Sequence, residues 1–184
     1  MAETANNQKT QRPPRGSSGA PIESSPFQET VINIDRVARV VKGGRRFRFK
    51  ALVVVGDGKN KVGVGVSKGQ DVQSAVAKAT DVAKKSLITI PVINGTIPHE
   101  AEVKLSGARV LIKPAAPGTG VIAGGVVRQV INVTGVHNLL SKSLGSTNKV
   151  NIAYATIKAL ESLVPREKWV TTENKKAPVK KETK

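Results

Sequence analysis

Between Arg36 and Lys50, seven of fifteen residues are Arg or Lys and none is acidic, with Lys42-Gly43-Gly44-Arg45 at the centre. Guanidinium and ammonium groups at this density have one chemistry open to them, charge-assisted hydrogen bonding to anions. The Gly-Gly pair is where such a ribbon can fold back on itself, so the pattern points to a finger for nucleic-acid phosphate. Arg36, Arg39, Lys42, Gly43, Gly44, Arg45, Arg46 and Arg48 are its candidate contacts. Alternation puts Phe47, Phe49, Ala51 and Val53 on one face of the second strand and Arg46, Arg48 and Lys50 on the other. The first face is expected to pack and the second to stay cationic. A solvated edge strand kept soluble by Lys and Arg is the plainer alternative. The Gly and aromatic spacing of an RNP1-type base-stacking motif is missing from Arg45-Arg46-Phe47-Arg48-Phe49, which assigns both Phe to the core.

Catalytic chemistry finds little to work with. Gly118-x-Gly120-x-x-Ala123 matches a permissive dinucleotide fingerprint, but that site also needs an acidic residue about 20 positions on for the ribose. From Val103 to Leu160 there is no Asp or Glu, against seven Lys or Arg. Carboxylate acids, bases and metal ligands are therefore missing from most of the second half. The glycine loop is better suited to the approach of an RNA backbone to peptide N–H groups. Gly63-Val-Gly65-Val-Ser67-Lys68-Gly69 lacks the Gly-Lys-Ser/Thr order of a P-loop and reads as a strand whose glycines allow close packing. His99 and His137 stand far apart with no Cys to join them, so each is expected to be structural or RNA-facing. Tyr154 is expected in the core of a helix, and Trp169 is isolated.

These groups ride on a strongly basic chain. The 184 residues carry 30 Lys or Arg against 13 Asp or Glu, a net charge of +17, which favours a polyanionic partner. Residues 27–164 alone hold 20 basic and 8 acidic side chains, so the charge is not confined to the ends. The sequence contains no long apolar span, signal-peptide pattern or lipidation motif, and no Cys, and a cytoplasmic protein in a reducing compartment is expected.

Four segments follow from composition and periodicity. Residues 1–28 are expected to be a disordered extension, 29–87 a first domain, 88–164 a second, and 165–184 a basic flexible tail. The first domain reads β-β-β-α: strands over Val31–Val41, Arg45–Val55 and Lys61–Ser67, then a helix beginning at Asp71. Val72, Ala75, Val76, Ala79 and Val82 make that helix's apolar stripe. At about 60 residues such a block is near the limit of an independent core and should lean on a neighbour. The second domain reads α+β: strands over Thr96–Lys104 and Ala108–Lys113, a helix over Ile122–Asn132 after the glycine loop, a strand or turn near Val136–Ser141, and a last helix capped by Asn148 or Asn151. Its candidate RNA contacts are Lys113, Gly118, Thr119, Gly120, Arg128, His137, Lys142, Ser146 and Lys149, with Lys59 and Lys61 at a turn of the first domain. At the bend between its strands Gly107 permits an unusual dihedral or the close approach of another chain and Arg109 a charge-assisted contact, the alternative being a simple bend with Arg in solvent.

Five motifs in one register resemble a known family: Lys42-Gly43-Gly44-Arg45, Val54-Val55-Gly56-Asp57-Gly58, Gly118-Thr-Gly120-Val-Ile-Ala-Gly124-Gly125, Gly135-Val-His137-Asn138 and Gly145-Ser146-Thr147-Asn148. The chain, over about residues 29–164, is similar to the bacterial small-subunit (30S) ribosomal protein S-five family. The resemblance implies an α+β protein of two small domains, the first like a double-stranded-RNA-binding fold without its first helix, the second with a left-handed crossover. It also implies a noncatalytic role without cofactors: binding 16S ribosomal RNA, contacting proteins S-four and S-eight, lining the mRNA entry side and influencing decoding accuracy. A double-stranded-RNA or DNA binder acting outside the ribosome is the alternative. Pro117 stands where the family usually has an acidic residue before Gly-Thr-Gly.

Overall fold

The computed structural model describes residues 27–169. The amino-terminal extension up to Pro26 and the tail from Val170 lie outside the described residues. Strands β1 (Gln28–Val41) and β2 (Gly44–Gly56) form a long antiparallel hairpin closed by Lys42-Gly43, where Gly44 takes a φ of 144°. Strand β3 (Lys61–Gly69) pairs with β2, and the two-residue β4 (Ile88–Thr89) pairs with β3, giving the order β1-β2-β3-β4. The fourth strand was too short to leave a periodic trace and falls in the connector. Helix α1 (Val72–Lys85) covers one face of this sheet.

Residues Ala51 to Val55 are all fully buried, because this sheet is covered on both sides. Ala51, Val53 and Val55 face α1, whereas Leu52 and Val54 belong to the core shared with the second half. The contact with α1 explains a departure from the expected stripe. Val72 and Val82 are exposed, and the buried face is Ala75, Ala79, Thr80 and Ala83. A Cβ on Gly65 would stand 2.0 Å from the Ala79 carbonyl oxygen, and one on Gly63 2.3 Å from that of Ala83. Helix backbone thus rests directly on strand backbone, and only small residues fit the seam. The glycines of β3 pack a helix rather than cradle a phosphate.

The second sheet has the order β5-β6-β8-β7, from β5 (Ala101–Leu105), β6 (Ala108–Pro114), β7 (Val121–Ile122) and β8 (Leu139–Gly145). Strands β7 and β8 are parallel and joined through α2 (Gly125–Asn132), while the other pairs are antiparallel. Helix α3 (Lys149–Glu161) starts where the Asn148 side chain accepts a hydrogen bond from the Val150 N–H at 3.1 Å. Three boundaries differ from expectation. Thr96 bridges Ile93 across an Asn94-Gly95 turn with both φ values positive, and the strand proper begins only at Ala101. Ile122 ends β7 instead of starting a helix, which begins after Gly124. The strand near residue 136 starts at Leu139, because Val136 is spent on the core and His137 and Asn138 on a turn.

One apolar core runs through both halves, with Leu52, Val54, Val62 and Val64 of the first sheet against Ile97, Val110, Ile112, Ile131, Leu139 and Leu160. The first block does lean on its neighbour. At the seam, a Cβ on Gly56 would stand 2.1 Å from the Val133 carbonyl oxygen, and one on Gly135 2.2 Å from that of Gly58. The Gly58 N–H donates to the Val133 carbonyl at 3.1 Å. No helix among the described residues is long and apolar enough to cross a membrane.

Candidate nucleic-acid interface

Pairing of β2 with β3 begins at Phe49 opposite Gly69, so residues 37–48 project beyond the sheet as a two-stranded ribbon. At about 3.3 Å per residue its five pairs extend it by roughly 15 Å. Cross-strand register sorts its side chains. Arg39 lies opposite Arg46 and Arg48 opposite Val37 on one face, while Arg45 opposite Val40 and Phe47 opposite Ala38 occupy the other. The first face borders a cleft of about 190 Å³ lined by Arg39, Arg46, Arg48 and Lys68 among others. Lys68 enters this face because it pairs with Lys50 in β3. That proximity depends on pairing across the sheet, which the local pattern around Lys68 does not announce. Like charges directly opposite in a strand pair are mildly destabilising, so an anion bound between Arg39 and Arg46 would relieve their repulsion. Among the described residues neither makes an ion pair, and the same holds for Lys42, Arg45, Arg48, Lys59, Lys61 and Lys142.

Lys50, at the base of the ribbon, is already engaged. Its ammonium sits 2.7 Å from the Asp35 carboxylate, which also accepts from the Asn33 amide at 2.6 Å. Lys50 first and Asn33 second hold the Asp35 carboxyl below its ordinary value. Lys149, a candidate RNA contact on α3, donates to the Asn33 side-chain oxygen at 2.8 Å. The chain thereby ties the finger's base to the second half through a residue 116 positions away, a link no local pattern contains.

Phe49 is half-buried against the α1 core, as its alternation predicts. Phe47 is not core: it is 47% exposed, with the Arg36 guanidinium 3.8 Å from the ring centroid. Beyond the edge of β3 the ribbon has no layer to pack on, so the apolar parity of its outer half faces solvent.

The remaining candidates scatter. Lys59 and Lys61 flank a turn at the far end of β2 from the finger tip. That turn is organised by Asp57, whose Oδ1 accepts from the N–H groups of Lys59, Asn60 and Lys61 at 2.9, 3.0 and 2.9 Å. Burial pushes the Asp57 carboxyl up, but these backbone donors outweigh it and the net shift is downward. In the second half, Gly118, Thr119 and Gly120 form a loop before β7 and not the N-terminus of a helix. The N–H groups of Gly118 and Gly120 both donate to Asn138 Oδ1 at 3.1 Å, and that of Thr119 to the Ala116 carbonyl at 3.2 Å. The donors expected to meet an RNA backbone are already satisfied, although nothing lies within 4 Å of the open side of Gly118 or Gly120. Asn138 also donates its N–H to Gly95 and accepts from Thr96 Oγ1, making it the hub that sequence reading passed over.

Arg128 donates to the Val121 carbonyl at 3.4 Å, Lys113 pairs with Glu100 at 3.1 Å, and Arg109 pairs with Glu102. His137 is exposed beside the glycine loop, Lys142 is exposed on β8, and Ser146 Oγ accepts from the Asn148 N–H at 3.2 Å. At the bend between β5 and β6 the unusual dihedral belongs to Ser106, with a φ of 52°, and not to Gly107. Gly107 is needed for closeness, since its Cβ would stand 3.3 Å from Ser146 Cβ. His99 is structural: its Nε2 accepts from the Val164 N–H at 2.9 Å, beside Trp169 and a short 3-10 turn at Arg166–Lys168. Tyr154 is partly exposed on α3 rather than core. No three His, Asp or Glu side chains gather among the described residues where they could hold a metal.

The described residues form a two-domain α+β body from which a ribbon rich in Arg and Lys projects. Residues 27–91 match the family model for ribosomal protein S5, N-terminal domain, and residues 103–171 that for ribosomal protein S5, C-terminal domain. The chain belongs to the ribosomal protein S5 family. This is a structural, non-enzymatic family of the small ribosomal subunit, acting in translation.

Proposed function

We propose that the chain binds 16S ribosomal RNA as a structural component of the small subunit and supports its assembly, and that the finger is its principal phosphate clamp. The observation that carries this is the Arg39–Arg46 pair, directly opposed on a ribbon free of acidic side chains. Side chains on such a rigid ribbon recognise the shape and phosphates of RNA already folded by base pairing, with little reading of base edges. Arg36, Lys42, Gly43, Gly44, Arg45 and Arg48 complete the finger. A second contact set comprises Lys59, Lys61, Lys113, Gly118 to Gly120, Arg128, His137, Lys142, Ser146 and Lys149, of which Lys59, Lys61 and Lys142 are exposed and without an ion pair among the described residues. Residues 29–87 and 88–164 are taken as the two units of the clamp.

The bend at Ser106-Gly107-Ala108-Arg109 is assigned to an interface with protein S-four, with S-eight as a further neighbour and mRNA on the entry side. Contacts made only in the open subunit oppose its closure around decoded tRNA, so their removal shifts the population toward closed. Gly107→Arg is therefore expected to raise near-cognate misreading in subunits that still assemble. Unchanged accuracy in a misincorporation reporter would sink that assignment.

The RNA reading is tested by titrating 16S fragments at several salt concentrations. Each phosphate-contacting Lys or Arg removed should lower the log–log slope by about 0.7 to 0.9. A salt-independent affinity overturns the clamp. Co-sedimentation with the small subunit in a sucrose gradient separates this role from that of a free double-stranded-RNA or DNA binder.

A further inference from the structure

The two faces of the finger are chemically different, and the phosphate clamp accounts for only one. One face bears Arg39, Arg46 and Arg48 beside Val37 and Val41. The other face carries Ala38, Val40 and Phe47 in a row between Arg36 and Arg45. Val40 is 77% exposed and Phe47 47%, so this face presents apolar side chains to solvent. The residue opposite Phe47 is Ala38, too small to cover a ring, and the diagonal neighbour Arg36 lies over the ring at 3.8 Å instead. The guanidinium carbon thus sits over one face of the ring, a cation–π pair on neighbouring paired strands.

Flat π surfaces flanked by cations recognise one chemistry well, an unpaired nucleobase attached to phosphate, since every base has a face to stack and a charge to neutralise. Resting on the reading of the finger as an RNA clamp, we propose that the Arg36–Phe47 platform is a stacking site for an unpaired RNA base. The opposite face of the same ribbon grips the adjoining backbone. Arg45, across from Val40 nearer the turn, is placed to meet the phosphate beside that base. The occupant is set by charge: the ribbon between Arg36 and Lys50 holds no carboxylate that an electropositive partner would need.

The test uses the full chain and an RNA hairpin with a single bulged 2-aminopurine, beside the same hairpin with that purine paired. Stacking quenches 2-aminopurine emission. The bulged hairpin is expected to bind about tenfold more tightly, with its emission quenched on binding. Phe47→Leu, which keeps an apolar side chain, should lose both preference and quench while leaving the salt slope unchanged. Arg36→Lys, which keeps the charge and loses the plane, should do the same. Arg39→Ala with Arg46→Ala should lower the slope for both hairpins alike. Equal binding of the two hairpins by the wild-type chain, or preference and quench that survive Phe47→Leu, overturns the stacking site and leaves the phosphate clamp standing. A wild-type chain that binds neither hairpin overturns both.

Discussion

The finger and the glycine loop of the second domain are both glycine-rich and both lie in stretches without acidic residues, and the fold uses them in opposite ways. In the finger, among the described residues, Gly43 and Gly44 face open space and the neighbouring guanidinium groups lack carboxylate partners. In the second domain the chain consumes its own chemistry. Gly118 and Gly120 spend their N–H groups on Asn138, Arg128 holds β7, Arg109 and Lys113 pair with Glu102 and Glu100, and Lys149 ties down Asn33. Residue type says what a group can bind; only placement says whether it is still available.

If this contrast is right, the glycines should separate most sharply. Gly135 has a φ of 77° and its Cβ would stand 2.2 Å from the Gly58 carbonyl, so Gly135→Ala must move backbone across the seam between the domains. A loss of more than about 3 kcal/mol in denaturant unfolding is expected. Gly43→Ala meets nothing within 4 Å and should stay within about 0.5 kcal/mol of wild type. Equal losses at both positions would break the comparison. Next comes Asn138→Ala, which strips the acceptor from two loop N–H groups at once and should cost about 2 kcal/mol, with faster amide exchange at Gly118 and Gly120. Unchanged exchange there would mean that water satisfies the loop as well as Asn138 does. Replacing both Arg39 and Arg46 by Ala should leave stability unchanged or raise it by about 0.2 to 1 kcal/mol through relief of like-charge opposition, while weakening RNA binding. A clear destabilisation would show that these side chains serve the fold.

Much of this was legible in the sequence. Strand alternation, a hairpin turn within Lys42-Gly43-Gly44-Arg45 (though at Lys42-Gly43 and not at the Gly-Gly pair), the close-packing glycines of β3 and a helix cap at Asn148 or Asn151 are local patterns, and local patterns carry local structure. What was not legible depends on layers and on distance. Phe47 follows the same parity as Phe49, but whether that parity meets a core depends on where β3 ends. Ile122 lies in a run that reads as helix, and a parallel partner 18 positions downstream, Leu140, draws it into a strand beside Val121. Asn138 and Lys149 act through partners 18 to 116 positions away, for which one sequence supplies no signal. The candidate contacts were found by charge alone, and charge is blind to pairing within the chain.

The smallest effect separates two carboxylates, one at the base of the finger and one at the domain seam. Asp35 and Asp57 are both held below their ordinary value of 3.8. For a depressed carboxyl the unfolded chain takes up its proton first as acid is added. Its contribution to stability is therefore complete above the ordinary value and is lost as pH falls through the depressed one. Both should add to a decline in unfolding midpoint below about pH 4. They differ in what lowers them. Asp35 relies first on the Lys50 ammonium and is itself 42% exposed, so added salt should screen its share. Asp57 is held down by backbone N–H groups fixed in the turn, which salt does not compete away. Asp57→Asn keeps an acceptor oxygen and removes the titration, so the acid decline in high salt should become shallower in this variant. Asp35→Asn should flatten the decline chiefly at low salt. If the two variants respond to salt identically, the turn at Asp57 is no better insulated than the finger, and the contrast between a spent site and an available one does not extend to their carboxylates.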